Sequence, residues 1–119
     1  MTLNNYHILE RANYQVLQVN SLQCEIDNRT ILQDIELRLR KGASNLIIDF
    51  SRLTVFNSSA LNFLFLAKKR VDKFDGQLVV TNPTKQFTTV LEVTKLTNYF
   101  DQLPSLEDAF MHSYTQAAA

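Results

Sequence analysis

Leu46-Ile47-Ile48-Asp49-Phe50-Ser51-Arg52-Leu53-Thr54-Val55-Phe56-Asn57-Ser58-Ser59-Ala60-Leu61 is the stretch on which the reading of this chain turns. It opens with a continuous apolar run just after Gly42-Ala43-Ser44, so Asn45–Phe50 is predicted to be a strand covered on both faces. A short loop follows. Leu61 to Ala67 then leaves only Asn62 polar across two turns, which predicts a long apolar helix over Ser58 to Phe74. A second apolar run, Leu78-Val79-Val80 within Gln77–Thr81, closes the unit. Strand, helix and strand at this spacing imply a right-handed crossover between two parallel neighbours.

The rest of the chain extends this pattern. Tyr6–Leu9 and Tyr14–Val19 read as strands joined by a hairpin turn at Arg11-Ala12-Asn13. A helix is expected to start near Asp27, whose carboxylate can cap its first turn. Ile31, Ile35 and Leu39 recur every four residues with Leu32 beside them. Asp34 precedes Arg38 by four and Glu36 precedes Arg40 by four, the favourable acidic-first order. Gly42 is placed to end that helix. Further on, Asn82-Pro83 reads as a cap followed by proline at the first helical position. Phe87, Val90, Leu91 and Thr94 mark the inward stripe of that helix. A short strand is expected around Tyr99–Leu103. Ser105 and Asp108 resemble a capping box opening a last helix, with Leu106, Ala109 and Phe110 buried. The tail Thr115–Ala119 is expected to fray. The whole reads as one α/β domain, residues 1–119.

Composition narrows the function. Twelve basic residues balance twelve acidic ones. The one dense basic cluster, Lys68-Lys69-Arg70, reads as a solvated helix face, so no nucleic-acid partner is expected. The single cysteine, Cys24, is expected to pack, and it can form neither an intrachain disulfide nor a cysteine zinc site. Met1-Thr2-Leu3-Asn4-Asn5 has no basic region followed by an apolar run. No apolar stretch approaches the ~20 residues of a membrane span. The chain is therefore expected to be cytoplasmic. Its two glycines, Gly42 and Gly76, make no phosphate-cradling loop. His7 and His112 have no metal-ligand neighbours in sequence, so no metal and no cofactor is expected. A nucleophilic pair of Cys24 and His7 stays open. No set of nucleophile, base and orienting group is visible, so the chain is not expected to be an enzyme.

Asn57-Ser58-Ser59 meets the start of the apolar helix. Small polar residues there can satisfy free backbone amides, and this capping role stands whatever else is true. A hydroxyl at that place is also where an added phosphate meets amide donors and a favourable dipole. A phosphoserine brings about −1.5 to −2 charges, which would oppose a partner docking nearby. One face of the helix can pack through Leu61, Leu64 and Val71; Phe63 or Phe65 is then either covered by neighbouring elements or offered to a partner.

Four blocks together resemble the STAS domain of bacterial anti-sigma factor antagonists: Gln23-Cys24-Glu25-Ile26-Asp27, Leu46 through Leu53, Phe56-Asn57-Ser58-Ser59-Ala60-Leu61, and Gly76-Gln77-Leu78-Val79-Val80 with the helix from Phe87 to Leu96. The resemblance spans nearly the whole chain. It implies the STAS fold, a mixed sheet of four to five strands with about four α-helices. It further implies that the second hydroxyl residue of the signature, here Ser59, with Ser58 as the lesser candidate, is phosphorylated. The implied partners are a GHKL-type serine kinase that is also the anti-sigma factor, and a PP2C-type phosphatase that reverses the mark. Glu25, Asp27, Asn28, Asn57, Ser58, Ala60 and Phe63 are the implied partner-binding residues. The sequence departs from the signature at Asn57, where the family has aspartate, at Ala60, where it has glycine, and at Lys95, where glycine is usual. A non-switching adaptor or scaffold, the soluble STAS subunit of a lipid transporter, and a small-molecule sensor are the alternatives.

Overall fold

The computed structural model describes residues 5–11 and 13–111. Ala12 of the expected hairpin turn, His112 and the tail Thr115–Ala119 lie outside the described residues. Eight elements follow in order: β1 (Tyr6–Arg11), β2 (Tyr14–Val19), α1 (Glu25–Arg40), β3 (Asn45–Asp49), α2 (Ser58–Lys73), β4 (Leu78–Thr81), α3 (Lys85–Val93) and β5 (Asp101–Leu103). A last helical stretch covers 106–111.

The sheet runs β1-β2-β3-β4-β5. β1 and β2 form an antiparallel hairpin, with Tyr6 opposite Val19 and Arg11 opposite Tyr14. β2–β3, β3–β4 and β4–β5 are all parallel. Leu46, Ile47 and Ile48 pair with Leu78, Val79 and Val80, as the two apolar runs predict.

Alternation along the strands splits the core into two layers. Leu17, Leu46, Ile48, Leu78 and Val80 join Ile31, Ile35, Leu64, Val71, Phe87 and Leu91 in one cluster, which places α1, α2 and α3 on one face. Val16 and Ile47 point the other way and meet Ala109, so the 106–111 stretch covers the opposite face. The central strands are therefore buried on both sides, and this is why they read as unbroken apolar runs.

α1, α2 and α3 stop in the same way. After α1, Gly42 N–H bonds Leu39 O and Ala43 N–H bonds Arg38 O, with Gly42 at φ 111°. After α2, Asp75 (φ 57°) and Gly76 repeat the pattern onto Asp72 and Val71. After α3, Lys95 (φ 61°) and Leu96 repeat it onto Glu92 and Leu91. These are Schellman closures, whose pivot residue must be left-handed.

Several boundaries differ from expectation. β1 continues past Leu9 to Arg11 because the turn is tighter than three residues. α1 starts at Glu25 after Cys24, without a side-chain cap. The buried Asn28 amide holds Leu22 O at 2.8 Å and so turns the chain into the helix early, leaving Asp27 inside the first turn. α3 is capped by Thr84, whose Oγ1 accepts from Phe87 N–H at 3.0 Å, and not by Asn82. Asn82 is left-handed (φ 50°) and its amide donates to Asp49, so Pro83 precedes the helix. Thr94 is the exposed C-cap of α3, with no place in its buried stripe. The last strand begins only at Asp101, because Tyr99 closes a turn onto Leu96 and Phe100 enters the core. Ser105 does start the last helical stretch, accepting Asp108 N–H at 3.2 Å.

Candidate functional site at the start of the second helix

The loop from Phe50 to Asn57 carries the site and is held at both ends. At its base, Asp49 is only 1% exposed. Its Oδ1 accepts from Thr81 Oγ1 at 2.9 Å and Asn82 Nδ2 at 2.7 Å. Its Oδ2 accepts from Gln18 Nε2 at 3.1 Å and Ser51 Oγ at 2.6 Å. Burial disfavours the charged form, but these four donors outweigh it and hold the carboxyl below its ordinary range. At the far end, Phe56 is buried against Phe87, ring centroids 5.2 Å apart, and Phe50, 6.0 Å apart. Phe56 N–H donates to Gln86 Oε1 at 3.0 Å.

Asn57 is the N-cap of α2, and its Oδ1 accepts from Ala60 N–H at 3.1 Å. Among the described residues, neither Ser58 nor Ser59 uses its hydroxyl in capping. Of the small polar residues expected to cap this helix, Asn57 does so, its side chain reaching the third amide from the N-cap position. Ser58 is exposed and Ser59 half-buried. Both line a groove of about 680 Å³ between α1 and α2, together with Glu25, Asn28, Arg29 and Phe63.

The structure therefore brings Glu25, Asn28, Ser58 and Ser59 to one groove; Asp27 is exposed on the first turn of α1. Two of the expected contact residues lie on the inward face of α2. Ala60 is 0% exposed and Phe63 1%, because the α2 face that carries them packs against the core. Phe63 forms part of the groove floor, and a partner cannot engulf its ring. Asn28 is also buried, its amide committed to Leu22. Cys24, expected to pack, is exposed at the start of α1.

Charge is uneven around the groove. The first turn of α1 holds Glu25 and Asp27, whereas the first turn of α2 holds no acidic residue. At the far end, Arg70 of α2 bridges to Glu36 of α1 at 3.2 Å. Glu36 also takes Arg40 at 2.8 Å, and the Arg40 guanidinium is the main reason its carboxyl lies below the usual range. Sequence reasoning missed Ile26, 73% exposed on α1, and Val55, exposed in the loop. Ile26 carried a signal: it falls outside the Ile31–Ile35–Leu39 stripe, as does the exposed Leu37.

Among the described residues no group of three His, Cys, Asp or Glu could hold a metal ion, and no helix is long and apolar enough to cross a membrane.

The sequence profile of the STAS domain matches residues 8–109. A search of curated protein sequences found no match. Among solved structures, the anti-sigma factor antagonist SpoIIAA in its unphosphorylated form aligns with TM-score 0.77 at 17% identity, covering 92% of this chain and 96% of that one. The Bacillus cell fate determinant SpoIIAA in the phosphorylated form aligns with TM-score 0.73 at 17% identity, covering 91% and 98%. A Moorella thermoacetica RsbS with serine replaced by glutamate gives TM-score 0.80 at 15% identity, covering 98% and 100%. At these identities the likeness is one of fold.

Proposed function

The chain belongs to the STAS domain family, and from that premise we propose that it is an anti-sigma factor antagonist whose grip on a partner is switched at Ser59. The partner is a GHKL-type serine kinase that doubles as the anti-sigma factor, and a PP2C-type phosphatase restores the unmodified state. The observation that carries this reading is the place of Ser59. It lies one residue inside α2, half-buried, on a groove that also takes in the start of α1.

The physical case rests on what a phosphate would meet there. Free first-turn amides and the helix dipole favour an anion, and no acidic residue in that turn opposes it. The folded domain would tolerate the mark. A partner docked over the groove, which Glu25 lines and beside which Asp27 is exposed in the same first turn of α1, would meet about two added negative charges that it must desolvate. Ile26 and Val55 supply exposed apolar surface beside the same helix starts. SpoIIAA, whose fold this chain shares, was solved in both phosphorylated and unphosphorylated forms.

A second reading, a STAS module that binds without switching, draws on Asn57 and Ala60. The cap is neutral where the signature carries aspartate, and Ala60 puts a buried methyl where the signature carries glycine.

Calorimetric titration of the cognate kinase with the unmodified protein, Ser59→Ala and Ser59→Asp separates the two. A switch requires Ser59→Ala to bind normally and Ser59→Asp to lose roughly 1–3 kcal/mol, the scale of a misplaced interface charge. Equal binding by all three would leave the non-switching module.

A further inference from the structure

Resting on the reading of Ser59 as the switch, we propose that Gln86 is a positioning residue that sets where α2 begins and so how the Ser59 hydroxyl is presented. Gln86 stands in the first turn of α3, thirty residues from Phe56 in sequence, and its Oε1 accepts the Phe56 amide hydrogen at 3.0 Å. Its neighbour Phe87 holds the Phe56 ring, centroid to centroid 5.2 Å. Two adjacent residues of α3 thus grip one residue of the loop, one by its backbone and one by its side chain. The next residue is Asn57, the cap of α2, and Ser59 follows two positions on.

The grip is directional. The Phe87 ring would hold Phe56 against the core in more than one backbone orientation. The hydrogen bond to Gln86 selects the one in which Asn57 Oδ1 reaches Ala60 N–H. Gln86 is itself exposed, so it contributes little to core burial. Its own place is fixed by the α3 start: Thr84 caps the helix, and Asn82, two residues earlier, is tied to Asp49. Asp49 also holds Ser51 at the other end of the loop. Both ends of the Phe50–Asn57 loop therefore lead back to one buried carboxylate, and a displacement of the α3 start is passed to the switch through Gln86.

The experiment compares Gln86→Ala and Gln86→Glu in the whole protein. Glutamate keeps the acceptor, whereas alanine removes it. Amide hydrogen exchange by NMR is read at Phe56 and Ala60, with Phe87 and Thr88 as controls because both bond to Thr84 within α3. Gln86→Ala should speed exchange at Phe56 and Ala60 about fivefold or more, the scale of one lost hydrogen bond, and leave Phe87 and Thr88 unchanged. Gln86→Glu should restore both amides. With the cognate kinase and ATP, Gln86→Ala should lower kcat for Ser59 phosphorylation several-fold at unchanged KM, and Gln86→Glu should restore it. Unchanged exchange at Phe56 and Ala60 in Gln86→Ala, or acceleration of all four amides together, overturns the positioning role. If the unmodified protein itself takes no phosphate, the switch reading falls, and the exchange pattern alone decides whether Gln86 sets the start of α2.

Discussion

Asn57 Oδ1 accepts the amide hydrogen of Ala60 at 3.1 Å, so α2 is capped by the asparagine that precedes the two serines. Capping therefore falls to a side chain other than the proposed modification site, and a serine can be changed without uncapping the helix. Asn57→Ala should cost roughly 0.5–2 kcal/mol in chemical denaturation, the usual worth of an N-cap. Ser58→Ala and Ser59→Ala should each stay within about 0.5 kcal/mol of the parent. Asn57→Asp should be close to neutral, because aspartate caps as well as asparagine.

The inward face of α2 is tested by Leu64, fully buried in the large cluster with Val71 and Ile35. Leu64→Ala should cost roughly 2–5 kcal/mol. A loss below about 0.5 kcal/mol in urea unfolding would contradict this packing.

Asp49 predicts a pH dependence. Its folded pKa lies below the unfolded value, so its contribution is complete above the unfolded pKa of about 4 and is lost as pH falls through the lower folded value. Asp49→Asn removes this titration. Stability measured against pH should fall less steeply below about pH 4 in the variant than in the parent. At neutral pH the variant should be the less stable, because Asn cannot accept from all four of Gln18, Ser51, Thr81 and Asn82. Parallel acid limbs would show that Asp49 does not carry the effect.

The helix ends give a paired test. Lys95 is left-handed at φ 61° where glycine is at ease, so Lys95→Gly should raise stability by up to ~1 kcal/mol. Gly76→Ala should do the reverse and severely, since an added Cβ would fall 1.7 Å from Ser44 O. Thermal melts of the two variants should shift in opposite directions.

Much of the fold was legible because its signals are local or periodic. The runs Leu46–Ile48 and Leu78–Val80 fixed a parallel pair, and Ile31, Ile35 and Leu39 fixed the buried stripe of α1. Helix starts were less legible because they are settled by contacts across the chain. Asn28 reaching back to Leu22 pulls α1 to Glu25, and Asp49 claims Asn82, leaving the cap of α3 to Thr84. At the site, capping by the small polar residues Asn57-Ser58-Ser59 could be read in advance, but which of the three side chains makes the cap bond could not. The burial of Phe63 was equally hidden, because Leu61 through Ala67 is apolar on nearly every side and periodicity cannot say which aromatic faces inward. Gln86 gave no signal, since its partner is a backbone amide thirty residues away.

The central claim is that Ser59 is the switch. The most direct test is incubation of the unmodified protein with its cognate kinase and ATP, followed by mass spectrometry of the peptide containing residues 57–60. A single phosphate on Ser59, absent from Ser59→Ala and retained in Ser58→Ala, is the predicted result. Phosphate on Ser58 alone, or none on either serine with an active cognate kinase, would contradict it.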